Sequence, residues 1–378
     1  MSEGPLSGLR VVELAGIGPG PFCAMLLADQ GAQVLRIDRP GPPAPHARQQ
    51  VMNRGRQSAI VDLKRAEGVQ LLLALVRRAD VLIEGMRPGV TERLGIGPQE
   101  CARVNPGLIY ARMTGWGQDG PLAATAGHDI NYIARTGALH MIGRAGGPPQ
   151  VPLNLVGDFG GGGMLLAFGI CAALWERQRS GAGQVVDASV VDGTAALLAQ
   201  AWGARAAGQW QDQRGVNRLD TGLPWYDVYE TSDGQWMSVG ALEPQFWAEF
   251  TRILGVRDLS DRSDPARYDE LRAAIAARFR ERTRNDWEAA FAGSDACVAP
   301  VLSMTEATSD AHLTARRTYR DEHGIVQPAP APRFSRTPGS LGAPPPQPGE
   351  HTRAALADWG VEDLDALIAA GVVQEAPA

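Results

Sequence analysis

The sequence is poor in lysine, cysteine and histidine. Among its 378 residues there are four cysteines and six histidines, and Lys64 is the only lysine. The cysteines are far apart, and none stands in a spacing that binds a metal or builds a disulfide framework: Cys23, Cys101, Cys171 and Cys297. We therefore expect reduced thiols, no metal site and a cytoplasmic location.

Long apolar runs and an excess of positive charge are also missing. No stretch reaches about eighteen uninterrupted apolar residues, and the start, MSEGPLSGLRVVEL, does not have the pattern of a secretion signal. The formal net charge is −6, whereas nucleic acids and anionic membranes are bound through basic surfaces. Neither a nucleic acid nor a membrane is expected as a partner.

Strand and helix patterns alternate through the first half of the chain. Short apolar runs predict strands at VVEL, QVLRID, SAIVDL, DVLIEG and LIYARMTGWG. Helical patterns separate several of them, as in FCAMLLADQGA and EGVQLLLALVRRA. This alternation predicts an α/β fold with a large, doubly wound, Rossmann-like parallel sheet. The segment FGGGGMLLAFGICAALWERQRSG predicts a long, mostly buried helix that ends at Gly181.

A chain of this length exceeds one average core, so a second domain is expected. WYDVYETSDGQWMSVGAL predicts a hairpin around Asp233 and Gly234, and helical segments follow it. The terminal ADWGVEDLDALIAAGVV predicts a helix that returns to the first domain, with Glu362 or Asp363 near its start. The predicted division is a large domain over 1–200 completed by 335–378, a linker over 201–222, a small α+β domain over 223–330 and an extended proline-rich strap over 331–350.

Two polar motifs are flanked by glycine, AGHDINY and NLVGDFGGGG. Taken alone, His128 is interpreted as a satisfied turn histidine, and Asp158 as the N-cap of the following helix. Glu243 has the same N-cap interpretation before its own proline-started helix. An N-cap carboxylate still lies in a loop that can face a ligand, so these interpretations leave catalysis open.

Four basic residues come at or just after predicted strand ends, where open α/β sheets bind ligands: Arg39, Lys64, Arg87 and Arg93. Such side chains can hold the phosphates of a nucleotide-like ligand. GIGPGP with Asp38 downstream is similar to a dinucleotide-binding motif, but proline replaces its third glycine and Arg39 directly follows the acid. A different nucleotide-like ligand is therefore favoured.

The ordered set of motifs resembles one family. VVELAGIGPGP, VLRIDRPG, VDLK, EGMRPGV, TGWGQDGP, GHDINY, PLNLVGDFGGG and YETSDGQWMSVGALEPQFW, with PAPRFSRTP and PPPQPGEHT, are similar to the alpha-methylacyl-CoA racemases of the class III CoA-transferase superfamily. The resemblance runs from about residue 5 to 375. It implies the class III CoA-transferase fold, an interlaced homodimer and exchange of the proton next to a thioester carbonyl.

The resemblance also implies residue roles. His128, assisted by Glu243, would take the proton from the S form, and Asp158 would take it from the R form. A backbone N–H near Asp129 and the helix after Asp158 would stabilise the enolate oxygen. In the interlaced dimer, Glu243 would meet His128 of the partner subunit.

The acyl-CoA substrate is implied to contact a larger set of residues. These are Arg39, Val61, Asp62, Leu63, Lys64, Glu84, Gly85, Arg87, Arg93, Gly127, Tyr132, Asn154 and Tyr226. No cofactor is expected, because coenzyme A is part of the substrate and the thioester itself acidifies the proton.

Two alternatives remain open from the residues. In a class III CoA-transferase, Asp158 would attack the thioester as a nucleophile and form a mixed anhydride. A non-catalytic acyl-CoA binding protein would bind the same ligand without proton exchange. His128 and Glu243 favour the racemase, because a transferase needs no second proton carrier.

Overall fold

The computed structural model describes residues 4–42, 44–256 and 261–376. The chain forms two compact units, the first made of Met1–Thr136, Leu153–Leu198 and Ala315–Ala378, the second of Gly137–Pro152 and Ala199–Thr314. Residues 201–222, which the sequence suggested as a linker, thus group with the second unit. Residues 315–330, which it suggested as part of the small domain, group with the first. Segment 137–152, between the two candidate bases, also belongs to the second unit.

Strands and helices alternate along the described residues. The strands are β1 (Arg10–Leu14), β2 (Gln33–Asp38), β3 (Arg56–Val61), β4 (Val81–Glu84), β5 (Ile109–Thr114), β6 (Gln184–Ser189), β7 (Tyr226–Glu230), β8 (Trp236–Gly240), β9 (Val298–Pro300), β10 (Tyr319–Glu322), β11 (Ile325–Pro328) and β12 (Val373–Gln374). The helices are α1 (Pro19–Asp29), α2 (Ala66–Val76), α3 (Val90–Leu94), α4 (Pro98–Val104), α5 (Asp129–Arg135), α6 (Ala138–Met141), α7 (Leu165–Ser180), α8 (Val190–Leu197), α9 (Ala199–Ala206), α10 (Pro244–Leu254), α11 (Tyr268–Phe279), α12 (Arg284–Phe291), α13 (Met304–Ala307), α14 (Ala311–Ala315), α15 (Thr352–Asp358) and α16 (Leu364–Ala369). A π-helical segment, Leu155–Met164, runs directly into α7.

The first unit contains a seven-stranded sheet of order β12-β3-β2-β1-β4-β5-β6. All neighbouring strands are parallel except β12, which pairs antiparallel with β3. The predicted Rossmann-like sheet and the return of the C-terminus to the first domain are both confirmed. The strand order reverses between β1 and β4, and in open α/β sheets such a reversal places the ligand site beyond the carboxyl ends of the strands.

Successive residues of β1 face opposite sides of this sheet. Val12 and Leu14 belong to one buried cluster with residues of α2, α4 and α15, and Val11 belongs to another with residues of α1 and α7. The central parallel strands are rich in apolar residues because helices cover both faces of the sheet. This is why short apolar runs in the sequence were sufficient to predict them.

A buried ion pair ties the sheet to the first turn of α1. Arg56 of β3 and Glu13 of β1 are both fully buried, 2.5 Å apart, and Arg56 also donates to the carbonyl of Pro21. Removing one partner of such a pair costs about 3–5 kcal/mol, because a buried charge is left uncompensated. The pair therefore fixes the loop between β1 and α1, which borders the site described below.

The glycine-rich segment differs from the prediction. The helix begins at Leu155, and its first ten residues are π-helical. The glycines pack closely, since a Cβ on Gly161 would lie 2.6 Å from the Thr194 amide nitrogen. The opposite face is open: Met164, Phe168 and Trp175 are 55%, 70% and 64% exposed. The expectation of a mostly buried helix is wrong, because only the glycines and one set of α7 side chains, including Leu166 and Ile170, pack within this chain. The predicted end at Gly181 is confirmed by its φ of 74°.

Among the described residues, this same helix is the one with the length and composition to cross a membrane. It spans Leu155–Ser180, 26 residues, and a third of its apolar window (33%) is buried inside the molecule. A core helix of a soluble protein meets the same criteria, so one such helix is weak evidence for a membrane span.

The second unit contains an antiparallel sheet of order β7-β8-β9. The predicted hairpin around Asp233 and Gly234 is confirmed, with β7 paired to β8. Aromatic side chains of α10, α11 and α12 form its core, including Phe250, Phe279 and Trp287.

The proline-rich region and the C-terminus belong to the first unit by contacts. Residues 329–351 form no helix or strand, as expected from their proline content. The predicted terminal helix is two short helices, α15 and α16, because the chain turns at Gly360 with a φ of 72°. Asp363 is the N-cap of α16.

Candidate active site

Asp158 lies in the first turn of the π-helical segment. The N-cap of this segment is Asn154, so the interpretation of Asp158 as an N-cap is wrong: the helix starts four residues earlier than the glycine run suggested. Asn154 Nδ2 donates to Asp158 Oδ2 at 3.3 Å. A Cβ on Gly18 would lie 3.2 Å from the same oxygen. The carboxylate therefore faces the loop that follows β1, where the strand order reverses, and π-helical turns are frequent at functional sites.

The environment of Asp158 favours its protonated form. Burial raises the pKa of this carboxyl most strongly, and the neighbouring charge of Asp129 raises it further. The hydrogen bond from Asn154 and the charge of His128 oppose the increase only in part, and the pKa stays above its usual range. The group can therefore hold and release a proton closer to neutral pH than an exposed aspartate.

His128 precedes α5 as its N-cap residue. Its backbone is extended, with φ −130° and ψ 171°, and its N–H donates to Asn131 Oδ1 at 3.0 Å. The side chain is exposed, and its charge influences the pKa of Asp158. The imidazole is thus exposed to a ligand and lies near enough to the Asp158 carboxylate for its charge to act on it.

The side chain of Asp129 connects the two motifs. It is 8% exposed, its Oδ1 accepts the backbone N–H of Asp158 at 2.7 Å, and the carboxylate also attracts the backbone N–H of Gly157. Burial raises the pKa of this carboxyl as well. The sequence pointed to Asp129 only through its backbone N–H, and the role of its carboxylate was missed. The structural reason is the close approach at Gly157, where a Cβ would lie 2.2 Å from Oδ1, and no sequence pattern reveals such a distance.

Tyr132 holds the turn that carries His128. Its hydroxyl donates to the carbonyl of Gly127 at 2.5 Å, and its ring stands edge-on to Trp116 with centroids 4.7 Å apart. A Cβ on Gly127 would lie 2.7 Å from the Tyr132 ring. Burial, then the charge of Asp158, raises the pKa of Tyr132, whereas the charge of Arg87 lowers it. Gly127 and Tyr132, predicted as ligand contacts, are therefore part of the scaffold around both bases.

The four predicted basic residues lie at one edge of the sheet. Arg39 follows β2, Lys64 follows β3, and Arg87 and Arg93 follow β4. All four side chains are exposed, and within the described ranges none forms an ion pair. Because β3, β2, β1 and β4 are adjacent and parallel, their carboxyl ends share an edge. The residues form a local basic surface on an acidic protein.

The other predicted contacts at this edge differ in exposure. Glu84 is fully buried, where its Oε1 accepts from Arg112 at 2.8 Å and its Oε2 from the Met86 amide at 2.7 Å. Glu84 therefore shapes the Gly85–Arg87 loop from within. Val61 is 1% exposed and Leu63 half-buried, whereas Asp62 Oδ1 accepts the Lys64 amide at 3.0 Å and fixes that turn.

Asp38 is not available as a ribose acceptor. It is 7% exposed, and its two oxygens accept from Ser58 Oγ at 2.7 Å and Arg36 Nε at 3.0 Å. This arrangement agrees with the poor match of GIGPGP to a dinucleotide-binding motif. Across the described chain, no group of three or more His, Cys, Asp or Glu residues could hold a metal ion.

Glu243 and Tyr226 belong to the second unit. Glu243 is the exposed N-cap of α10, as predicted, and Tyr226 begins β7. Arg262, which the sequence analysis missed, donates to the carbonyls of Ala241 and Leu242 at 2.8 and 2.7 Å. The turn before Glu243 is therefore rigidly held by one guanidinium, which also lies over the Trp225 and Trp247 rings.

The fold and these motifs define a class of protein. Residues 6–352 match the CoA-transferase family III, and the chain belongs to this family. A CAIB/BAIF family protein from Brucella suis has the same fold, with a TM-score of 0.81 and 28% identity over 94% of this chain and 99% of that one. Rv3272 from Mycobacterium tuberculosis superposes with a TM-score of 0.77 and 27% identity, over 93% and 98% of the two chains.

Curated relatives within the family fall into two kinds. The chain is 45% identical to mouse alpha-methylacyl-CoA racemase over 96% of its own length and 95% of the relative's. Identity to the human alpha-methylacyl-CoA racemase is 44%, covering 94% and 93% of the two chains. Identity to mouse succinyl-CoA:glutarate CoA-transferase is 30%, covering 98% and 91%.

Replacing Asp158 should stabilise the protein at neutral and alkaline pH. Because the folded-state pKa is raised, the charged carboxylate costs stability above that pKa, and the cost disappears as pH falls toward the unfolded value near 3.9. We expect Asp158→Asn to raise Tm by a few degrees at pH 8 and by less at pH 5. Each kcal/mol gained in the free energy of unfolding raises Tm by on the order of 2–4 °C. Thermal scans at both pH values test this, with Asp119→Asn, an exposed carboxylate, as control. A lower Tm for Asp158→Asn at pH 8 would contradict it.

Proposed function

We propose that this chain is an alpha-methylacyl-CoA racemase that interconverts (R)- and (S)-2-methylacyl-CoA thioesters. The observation that carries the proposal is that His128 and Asp158 lie in one electrostatically coupled site joined by Asp129. The racemase relatives, 45% and 44% identical over nearly the whole chain, support the same reaction.

The reaction needs two acid/base groups on opposite faces of one carbon. The thioester carbonyl acidifies the α-proton, one group removes it, and the other returns a proton to the opposite face of the enolate. An imidazole can both accept and donate a proton, which suits it to this role. A carboxylate needs a raised pKa for the same task, and burial supplies this for Asp158. On this scheme His128 acts on the S form and Asp158 on the R form, with Glu243 assisting His128.

The enolate oxygen requires a fixed hydrogen-bond donor. The Asp158 N–H is already taken by Asp129 Oδ1. The Asp129 N–H, first in α5, donates to no acceptor among the described residues, so we assign the oxyanion to this amide. One donor of this kind contributes about 10²- to 10³-fold to the rate.

The coenzyme A part of the substrate fits the basic edge of the sheet. Arg39, Lys64, Arg87 and Arg93 would bind its phosphates, with the Val61–Lys64 and Gly85–Arg87 loops beside its adenine. Asn154 and Tyr226 would lie nearer the acyl group. The reaction then needs no cofactor beyond the substrate. A cytoplasmic location also belongs to this proposal, and neither a nucleic acid nor a membrane is proposed as a partner.

We further propose a homodimer. The exposed apolar face of α7 supports it, because Phe168 and Trp175 would be costly to leave in water beside Met164. The extended segment 329–351 suits an arrangement in which two chains interlace. Glu243 would then approach His128 of the partner subunit, each active site being shared.

The transferase remains the second candidate, since family members 30% identical to this chain are CoA-transferases. In that reaction Asp158 would attack the thioester carbonyl and release coenzyme A. The exposed His128 and the higher identity to racemases favour proton transfer.

Incubation of pure (S)- or (R)-2-methylacyl-CoA in D₂O should introduce deuterium at the α-carbon and give both epimers with an equilibrium constant near one, as proton NMR can follow. His128→Ala should abolish racemisation in both directions, with a loss of about 10²- to 10⁴-fold, while leaving some exchange on the R epimer with retained configuration. Asp158→Asn should give the mirror result, and Glu243→Gln should mainly weaken exchange on the S epimer.

Three outcomes of this experiment would contradict the proposal. Transfer of the acyl-CoA's coenzyme A to a free carboxylate, without α-deuterium, would establish the transferase. Ligand binding with neither reaction would leave only an acyl-CoA binding protein. Equal loss of exchange on both epimers in both single variants would point to one base with a mobile substrate.

Arg87→Ala and Arg93→Ala should each weaken binding of free coenzyme A, because each removes a phosphate contact at the basic edge. The affinity of the unchanged protein should also fall as salt rises, since exposed charges are screened over about 10 Å at 0.1 M. Titration calorimetry at two salt concentrations measures both effects, with Arg103→Ala on α4 as an exposed control. Unchanged affinity in both variants would show that the phosphates lie elsewhere.

Sedimentation equilibrium should give twice the chain mass of 40.2 kDa. Phe168→Asp should shift the protein toward monomer, because it places a charge on the apolar face of α7. A fully active monomer would refute the shared site.

A further inference from the structure

The side chain of Asp129 bridges two segments that are distant in sequence. The chain leaves the first unit after Thr136 and re-enters it at Leu153. The bond from the Asp158 amide to Asp129 Oδ1, 2.7 Å long, spans this excursion. It therefore connects the turn that carries His128 to the π-helical turn that carries Asp158.

The space around this contact is shaped for it. A Cβ on Gly157 would lie 2.2 Å from Asp129 Oδ1 and 2.8 Å from Ile133 Cγ2. Only glycine at this position lets the carboxylate reach the two successive amides of Gly157 and Asp158. Asp129 Oδ2 is buried and has no hydrogen-bond partner among the described residues. Burying such an oxygen costs stability. The contact to the Asp158 amide is therefore made at a cost in the free energy of folding.

We propose that the Asp129 carboxylate is a positioning residue that holds Asp158 in place for its half of the proton transfer. The inference rests on the proposed racemase function and adds to it. In that proposal the enolate oxygen was assigned to the backbone N–H of Asp129, and this N–H is present whatever the side chain is. Asp129 is the sequence neighbour of His128, yet its side chain contacts the backbone of the other base. Its replacement should therefore affect Asp158's half-reaction and spare that of His128.

The test measures initial α-deuterium uptake from D₂O on each pure epimer of a 2-methylacyl-CoA. Asp129→Ala should reduce exchange on the R epimer about 10²-fold, the loss typical of a displaced catalytic group. Exchange on the S epimer should change only a few-fold, and KM should stay close to that of the unchanged protein. Asp129→Asn keeps an oxygen that can accept both amides, so it should restore most of the R-epimer exchange.

A second variant approaches the same contact from the other side. Gly157→Ala should displace the carboxylate and reproduce the selective loss on the R epimer, which keeps the proposal testable if Asp129→Ala does not fold. Asp80→Asn is the matched control: Asp80 also accepts a backbone amide, that of Arg10 at 2.9 Å, but it precedes β4 at the amino edge of the sheet. It should leave both epimers unaffected.

The outcomes separate this inference from the function on which it rests. Equal losses on both epimers in Asp129→Ala and Gly157→Ala, with no recovery in Asp129→Asn, would overturn the positioning role while the unchanged protein still racemises. Absence of α-exchange in the unchanged protein would overturn the racemase function and this inference together.

Discussion

The candidate active site depends on one hydrogen-bonded contact, the carboxylate of Asp129 against the amides of Gly157 and Asp158. The two candidate bases stand on segments separated by an excursion into the second unit. Without a contact between these segments, loop geometry alone would set the distance between the bases. A charge-assisted bond of 2.7 Å is short and directional, and it gives the π-helical turn a defined position relative to α5.

That contact works because the sheet provides a fixed edge. Asp158 faces Gly18 in the loop after β1, and a buried ion pair between Glu13 and Arg56 holds the same loop. In dinucleotide-binding sheets the corresponding loop approaches a pyrophosphate. Here it meets a carboxylate, which would repel an anion, and the exposed basic residues lie instead after β2, β3 and β4, on loops and on α3. The same edge thus separates the Asp158 carboxylate from the exposed basic residues.

Sequence reasoning failed where packing decides the outcome. The glycine run was expected to continue a buried helix from Phe159, but the segment is π-helical from Leu155 and leaves Phe168 and Trp175 exposed. Helical periodicity does not reveal which face finds a partner. The burial of Glu84 against Arg112 and the Met86 amide was likewise not visible in the sequence, and its predicted contact with the substrate stays a prediction. A charged residue at a strand end is compatible with either role.

The sequence by itself determined the Rossmann-like order of elements, because strands covered on both faces are rich in apolar residues, as Val11, Val12 and Leu14 show. Its motifs also indicated the family and the candidate bases. Only the tertiary structure decided that Asp129 touches the backbone of Asp158 and that burial raises the pKa of Asp158. Both depend on distances between residues far apart in the chain and on exclusion of water, which no local pattern encodes.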